Sequence, residues 1–217
     1  MSELFSIQLQ NRQQQGRDGV WLDLPTTTEQ VQAALRQIGI SSDNPQGLFI
    51  SGYFAEEEKR FAISYNMVLA SNVDELNFLA SRLETLSTGE RAELNAALQA
   101  PQSELFSIGR ITDFPENVDY YVHLPDVHGP AQLGDYYLNR SGMVDMPEEW
   151  KGGIDTAQFG RYVAQQEQGV FTEYGYLVKS GDAWQKVHEG QPVPEEYRVL
   201  SFPAPEVLRD AANIPPP

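Results

Sequence analysis

In 217 residues the chain sets 31 acidic side chains against 15 basic ones, a net charge of −16, while 41% hydrophobic residues leave enough apolar material for a core rather than a disordered chain. With no cysteine, three scattered histidines and no cationic cluster beyond Lys59-Arg60, the composition excludes disulfide frameworks, thiolate metal sites and direct binding of nucleic acid. No apolar run approaches the about 18 residues that span a membrane, and the first residues lack a signal-peptide core, so the chain reads as cytoplasmic with no membrane partner.

The predicted elements begin with an alternating strand at 4–9, a polar turn over 11–18 and a second strand at 20–24 stopped by Pro25. Thr26 and Glu29 have capping-box spacing. Behind them Val31, Ala34, Leu35 and Ile38 fall at helical intervals, with Gly39 placed to end the helix. Residues 48–54 and 60–65 read as strands joined by an acidic link. Leu76, Leu79, Leu83 and Leu86 form one apolar stripe on a helix over 73–86. A second helix starts at the Ser87/Glu90 box and ends at Pro101, and so short a link predicts an antiparallel hairpin. Further on, 106–108 and 120–124 read as strands and 131–139 as a helix. Another helix opens near Asp155, and 170–178 pairs with 184–188. The prolines at 203, 205 and 215–217 predict a frayed tail.

This organisation predicts an α+β chain built of separate units. An N-terminal α+β unit (1–70) and a C-terminal α+β unit (102–217) flank a central helical hairpin (71–101). Ser2-Glu3-Leu4-Phe5-Ser6-Ile7 recurs letter for letter at 103–108. Trp21-Leu22-Asp23-Leu24-Pro25 is echoed by Tyr121-Val122-His123-Leu124-Pro125, and Gly47-Leu48-Phe49-Ile50 by Gly169-Val170-Phe171-Thr172. A duplicated strand–strand–helix–strand plan would explain the echoes; chance similarity among short β-type sequences is the other reading.

No catalytic constellation stands out. His123 and His128, with Asp126 between them, sit in a Pro/Gly loop and read as solvated loop residues, and no nucleophile elbow occurs. The acid pairs Asp74-Glu75, Glu148-Glu149 and Glu195-Glu196 fall at predicted helix starts, where negative charge is favourable. Those six acids leave most of the 31 unexplained. The middle of the chain is densest, with only Arg91 and Arg110 as cations between Glu84 and Asp126. Duplex DNA carries one charge per about 1.7 Å, so 16 net charges match about 27 Å of duplex. A surface for a partner that binds polyanions is the reading favoured by charge.

Three stretches carry a family resemblance: Gly19-Val20-Trp21-Leu22-Asp23-Leu24-Pro25, then Asp74-Glu75-Leu76-Asn77-Phe78-Leu79-Ala80, then Met146-Pro147-Glu148-Glu149-Trp150 with 154–161 and 169–176. In order and spacing these resemble ArdA-type antirestriction proteins. The resemblance implies an elongated, modular α+β protein that forms a homodimer, mimics bent B-form DNA and fills the DNA-binding groove of type I restriction–modification enzymes, protecting mobile genetic elements. It implies no enzymatic activity and no cofactor. The expected phosphate-mimicking residues are Glu84, Glu90, Glu93, Asp113, Glu116, Asp119, Asp126, Asp135, Asp145, Glu148, Glu149 and Asp155, each individually weak. Two rivals stay open: an acidic module for another basic or DNA-binding protein, and a hydrolase using a carboxylate pair in a cleft.

Overall fold

Alternation at the start of the chain becomes a central strand. In the computed structural model, which describes residues 4–14, 18–57, 60–101 and 103–203, β1 (Phe5–Asn11) buries Phe5, Ile7 and Leu9 on one face. It lies between β2 (Val20–Leu24) and β3 (Leu48–Phe54) in an antiparallel sheet of order β2-β1-β3. Ile7 stands opposite Leu22 and Tyr53, and a bulge at Gln8/Leu9 shifts the register to β3. α1 (Thr28–Gln37) packs against β2. Its capping box falls one residue later than the spacing suggested: Thr27 Oγ1 accepts the Gln30 N–H and Gln30 Oε1 accepts the Thr27 N–H. Gly39 ends the helix at φ 66°, and buried Asn11 donates to the carbonyls of Ile38 and Gly39.

Residues 60–65 are not the expected strand. Phe61 and Ile63 are buried in alternation, but the flanking backbone bonds to a side chain: Ala62 N–H donates to Asn95 Oδ1 at 2.8 Å and Asn95 Nδ2 donates to the Arg60 carbonyl. α2 (Tyr65–Leu69) follows and packs on β3. α3 (Val73–Glu84) starts at a reciprocal Asn72/Glu75 cap. Its next residues grip a segment from far along the chain. Asp74 Oδ1 accepts the N–H groups of Val199 and Leu200, both at 2.7 Å; Asn77 donates to the Tyr197 carbonyl; Phe78 packs on the Tyr197 ring with centroids 4.7 Å apart.

The described residues within Met1–Lys59, Tyr65–Ala80 and Val193–Pro217 therefore form one compact unit, and those within Arg60–Ser64 and Ser81–Pro192 a second. The division runs through α3, so the two helices expected to pair as a central hairpin are shared between the units. Pro203, expected to fray, is buried and its carbonyl accepts the Ser42 N–H; the prolines at 205 and 215–217 lie outside the described residues.

In the second unit, α4 (Thr88–Gln99) opens on the expected Ser87/Glu90 box and packs on the third strand of the sheet there. The expected strand at 106–108 is instead the start of α5 (Ile108–Thr112), where Ser107 Oγ caps the Arg110 N–H. β4 (Tyr121–Leu124), β5 (Val170–Thr172) and β6 (Gly175–Lys179) form an antiparallel sheet of order β4-β6-β5. The hairpin closes within 170–179, at Glu173-Tyr174, with Gly175 at φ 120°; it does not use 184–188. Between β4 and β5 run α6 (Pro130–Asp135), a π-turn (Tyr136–Arg140), α7 (Glu148–Lys151) and α8 (Thr156–Glu167), the last capped by Asp155. α6 and α8 touch backbone to backbone, because a Cβ on Gly160 would collide with the Pro130 carbonyl and one on Gly134 with that of Thr156. Val127, Leu133 and Tyr176 centre the core beneath.

The duplication does not hold. In the first sheet the opening strand is central; in the second the last strand is central, and the repeated hexapeptide begins a helix rather than a strand.

Candidate functional site

The second unit contains 17 acidic and 9 basic side chains, a net of −8. Most of its cations are paired with its own carboxylates. Arg110, buried and stacked 4.6 Å over Phe106, is held by Glu104 at 2.8 Å and Glu189 at 3.2 Å. Lys179 shares Glu104, and Lys186 shares Glu189. Arg82 pairs with Glu116, Arg140 with Asp135 at 2.6 Å and Lys151 with Glu148 at 2.6 Å. Six of the nine cations are thus tied to carboxylates of the same unit. Arg91 is turned to the carbonyls of Leu83 and Leu86.

The expected phosphate-mimicking residues sort by environment. Asp119, Asp126, Asp145 and Glu149 are exposed and make no hydrogen bond or ion pair among the described residues. Asp155 is exposed with one oxygen capping Gln158 N–H, and Glu148 is exposed while holding Lys151. Asp135, half-buried, ends α6, and hydrogen bonds from Arg140 and then Asn139 on the following turn lower its pKa. Glu90 is half-buried, its pKa lowered by the Ser87 side-chain and backbone bonds. Glu84 and Glu116 are also half-buried.

Two of the twelve are placed where they cannot stand in for a phosphate. Asp113 is fully buried, and its carboxylate accepts the N–H groups of Val187, His188 and Glu189 at 3.2, 2.6 and 3.2 Å. With Asn117, which exchanges two hydrogen bonds with the Gln185 backbone, it staples 185–189 in place; this is why that stretch is not a strand. Glu93 is half-buried with Oε1 sealed from water and without a partner, and burial, then the charges of Glu90 and Asp119, push its pKa up to about 8. It is mostly uncharged at neutral pH. Sequence reasoning missed Glu173, at the hairpin tip, and Asp182, after β6, both exposed. It also missed Glu104 and Glu189, since nothing in sequence links positions 6 and 79 residues from Arg110.

Among the described residues no group of three or more His, Asp or Glu side chains could hold a metal ion. The His123 ring binds the Tyr174 carbonyl through Nε2 at 2.7 Å. A cavity of about 110 Å³ is lined by Ala100, Tyr121, Gln168, Val170, Leu177, Val178, Lys179 and a single carboxylate, Glu167. That carboxylate accepts the hydroxyls of Tyr137 and Tyr176 at 2.5 and 3.0 Å, so the cavity offers no acid pair for hydrolysis. No helix of the described residues is long and apolar enough to cross a membrane.

An α+β protein that locks its cations into internal pairs and leaves carboxylates facing water is one that presents an acidic surface. The chain belongs to the ArdA family: the family model described as "Antirestriction protein (ArdA)" matches residues 15–178. Interference with restriction enzymes is the activity that goes with that family. Among curated proteins, none matches the chain.

Proposed function

We propose that this antirestriction protein acts as a DNA mimic: it occupies the DNA-binding groove of type I restriction–modification enzymes as a homodimer and catalyses nothing. The observation that carries the reading is the disposition of charge in the second unit. Ion pairs with carboxylates of the same unit neutralise six of its nine cations, while Asp119, Asp126, Asp145 and Glu149 remain exposed and unpaired among the described residues. Such carboxylates accept charge-assisted hydrogen bonds from the Arg and Lys side chains that otherwise hold phosphates. Glu148 and Asp155 are exposed but already hold one partner each, and half-buried Glu84, Glu90, Glu116 and Asp135 add to the field without facing water as freely. The dimer extends the footprint past the about 27 Å of duplex that one chain's net charge matches.

The test is competition between the purified protein and DNA for a type I enzyme at fixed moderate salt. Displacement of DNA at near-stoichiometric protein is the expected result. Failure against several such enzymes would move the activity to another step of restriction or another basic partner.

A further inference from the structure

The acidic surface contains two large apolar side chains that mimicry of phosphates does not use. In the stretch between the π-turn and α8, Met143 is 75% exposed and Trp150 68%. α7 turns Glu148, Glu149 and Trp150 to solvent in succession. The lysine of that helix, Lys151, is instead tucked in with its ammonium on Glu148. Tryptophan is ordinarily among the most buried residues on average, so leaving this one in water is a cost with no gain inside the fold. Glu149 precedes it directly and Asp145 lies five residues before it, both exposed and unpaired among the described residues.

We propose that Trp150, on the same exposed segment as Met143, is the apolar anchor of a docking surface for the DNA-binding face of the inhibited enzyme, with Asp145, Glu148 and Glu149 of that segment supplying its charge. The inference rests on the mimic reading above and adds to it a contact that is not electrostatic. Charge decides the occupant. A face built for DNA presents arginines, whose planar guanidinium stacks on an indole while pairing with a neighbouring carboxylate. A second copy of this chain fits poorly, because a two-fold interface centred here would set the same three carboxylates against one another. A central aromatic with a charged rim is also the usual anatomy of an interface hot spot.

The experiment compares the wild type with Trp150→Ala, Trp150→Phe and Glu149→Gln in DNA competition at two salt concentrations, with sedimentation of each protein. Trp150→Ala is expected to raise the concentration for half-inhibition about thirty-fold, with the salt dependence unchanged and Trp150→Phe largely restored. Glu149→Gln is expected to make binding less salt-dependent instead. Wild-type inhibition by Trp150→Ala would overturn the proposal. So would a loss of inhibition accompanied by dissociation of a dimer, which would place Trp150 between copies. A wild type that never displaces DNA would bring down the mimic reading itself.

Discussion

Replacing Glu93 by Gln tests whether a carboxylate on the acidic side of α4 is charged at all. The native group stays protonated up to about pH 8 because burial outweighs its ionisation, with Glu90 and Asp119 adding repulsion. In the unfolded chain it ionises in the ordinary range near 4.5. Between those values the native state holds a proton that the unfolded state has lost, so stability falls as pH rises from 4.5 and levels off above 8. At about 1.36 kcal/mol per unit the ceiling is about 5 kcal/mol, and solvent reaching the half-buried group lowers this to about 2 kcal/mol. Glu93→Gln removes the penalty. The variant should match the wild type at pH 5 and exceed it by about 2 kcal/mol, or about 6 °C in Tm, at pH 8.5. Urea and thermal unfolding across this range, in a Trp21→Phe background that leaves Trp150 and Trp184 to report on the second unit, measures the difference. Parallel pH curves for the two proteins would refute the reasoning. DNA competition at pH 7 should be unchanged, since a neutral group is being replaced by a neutral one.

Three other perturbations separate scaffold from surface. Gly160→Ala pushes α6 from α8 at the Pro130 carbonyl and should lower the urea midpoint by an amount worth about 2 kcal/mol or more. Asp113→Ala strips the acceptor from three N–H groups and should cost about 3 kcal/mol, exposing the 185–189 stretch to amide exchange while leaving folded protein inhibitory. Single Asn or Gln changes at Asp119, Asp126, Asp145 or Glu149 should alter half-inhibition less than about threefold, the share of one rim charge among many, whereas reversing all four to Lys should abolish it. A folded single variant without activity would contradict a distributed array.

What the sequence made legible was local. The β1 alternation, the Ser87/Glu90 box, Gly39 and the Asp155 cap are signals that act within a few residues, and each element formed where they stood. The errors came from long-range partners. Phe-Ser-Ile is a strand at 5–7, where β2 and β3 lie alongside, and leads into a capped helix start at 106–108, where no strand does. Phe61 and Ile63 alternate like a strand, yet Asn95 supplies the backbone partner. Asp113 and Asp126 are indistinguishable in sequence; only the Val187–Glu189 backbone arriving at Asp113 decides that one is core and the other surface. Helix-capping acids could be separated from the rest in advance, but exposure could not.

The grip of Asp74, Asn77 and Phe78 on residues 197–200 also sets an order of events during synthesis. The first unit to leave the ribosome is the last to be finished: its opening part must wait while the whole inserted unit emerges before residues 197–200 can close onto Asp74, Asn77 and Phe78. A chain ending at residue 192, the last of the inserted unit, carries every strand of the second sheet but leaves the first unit unclosed.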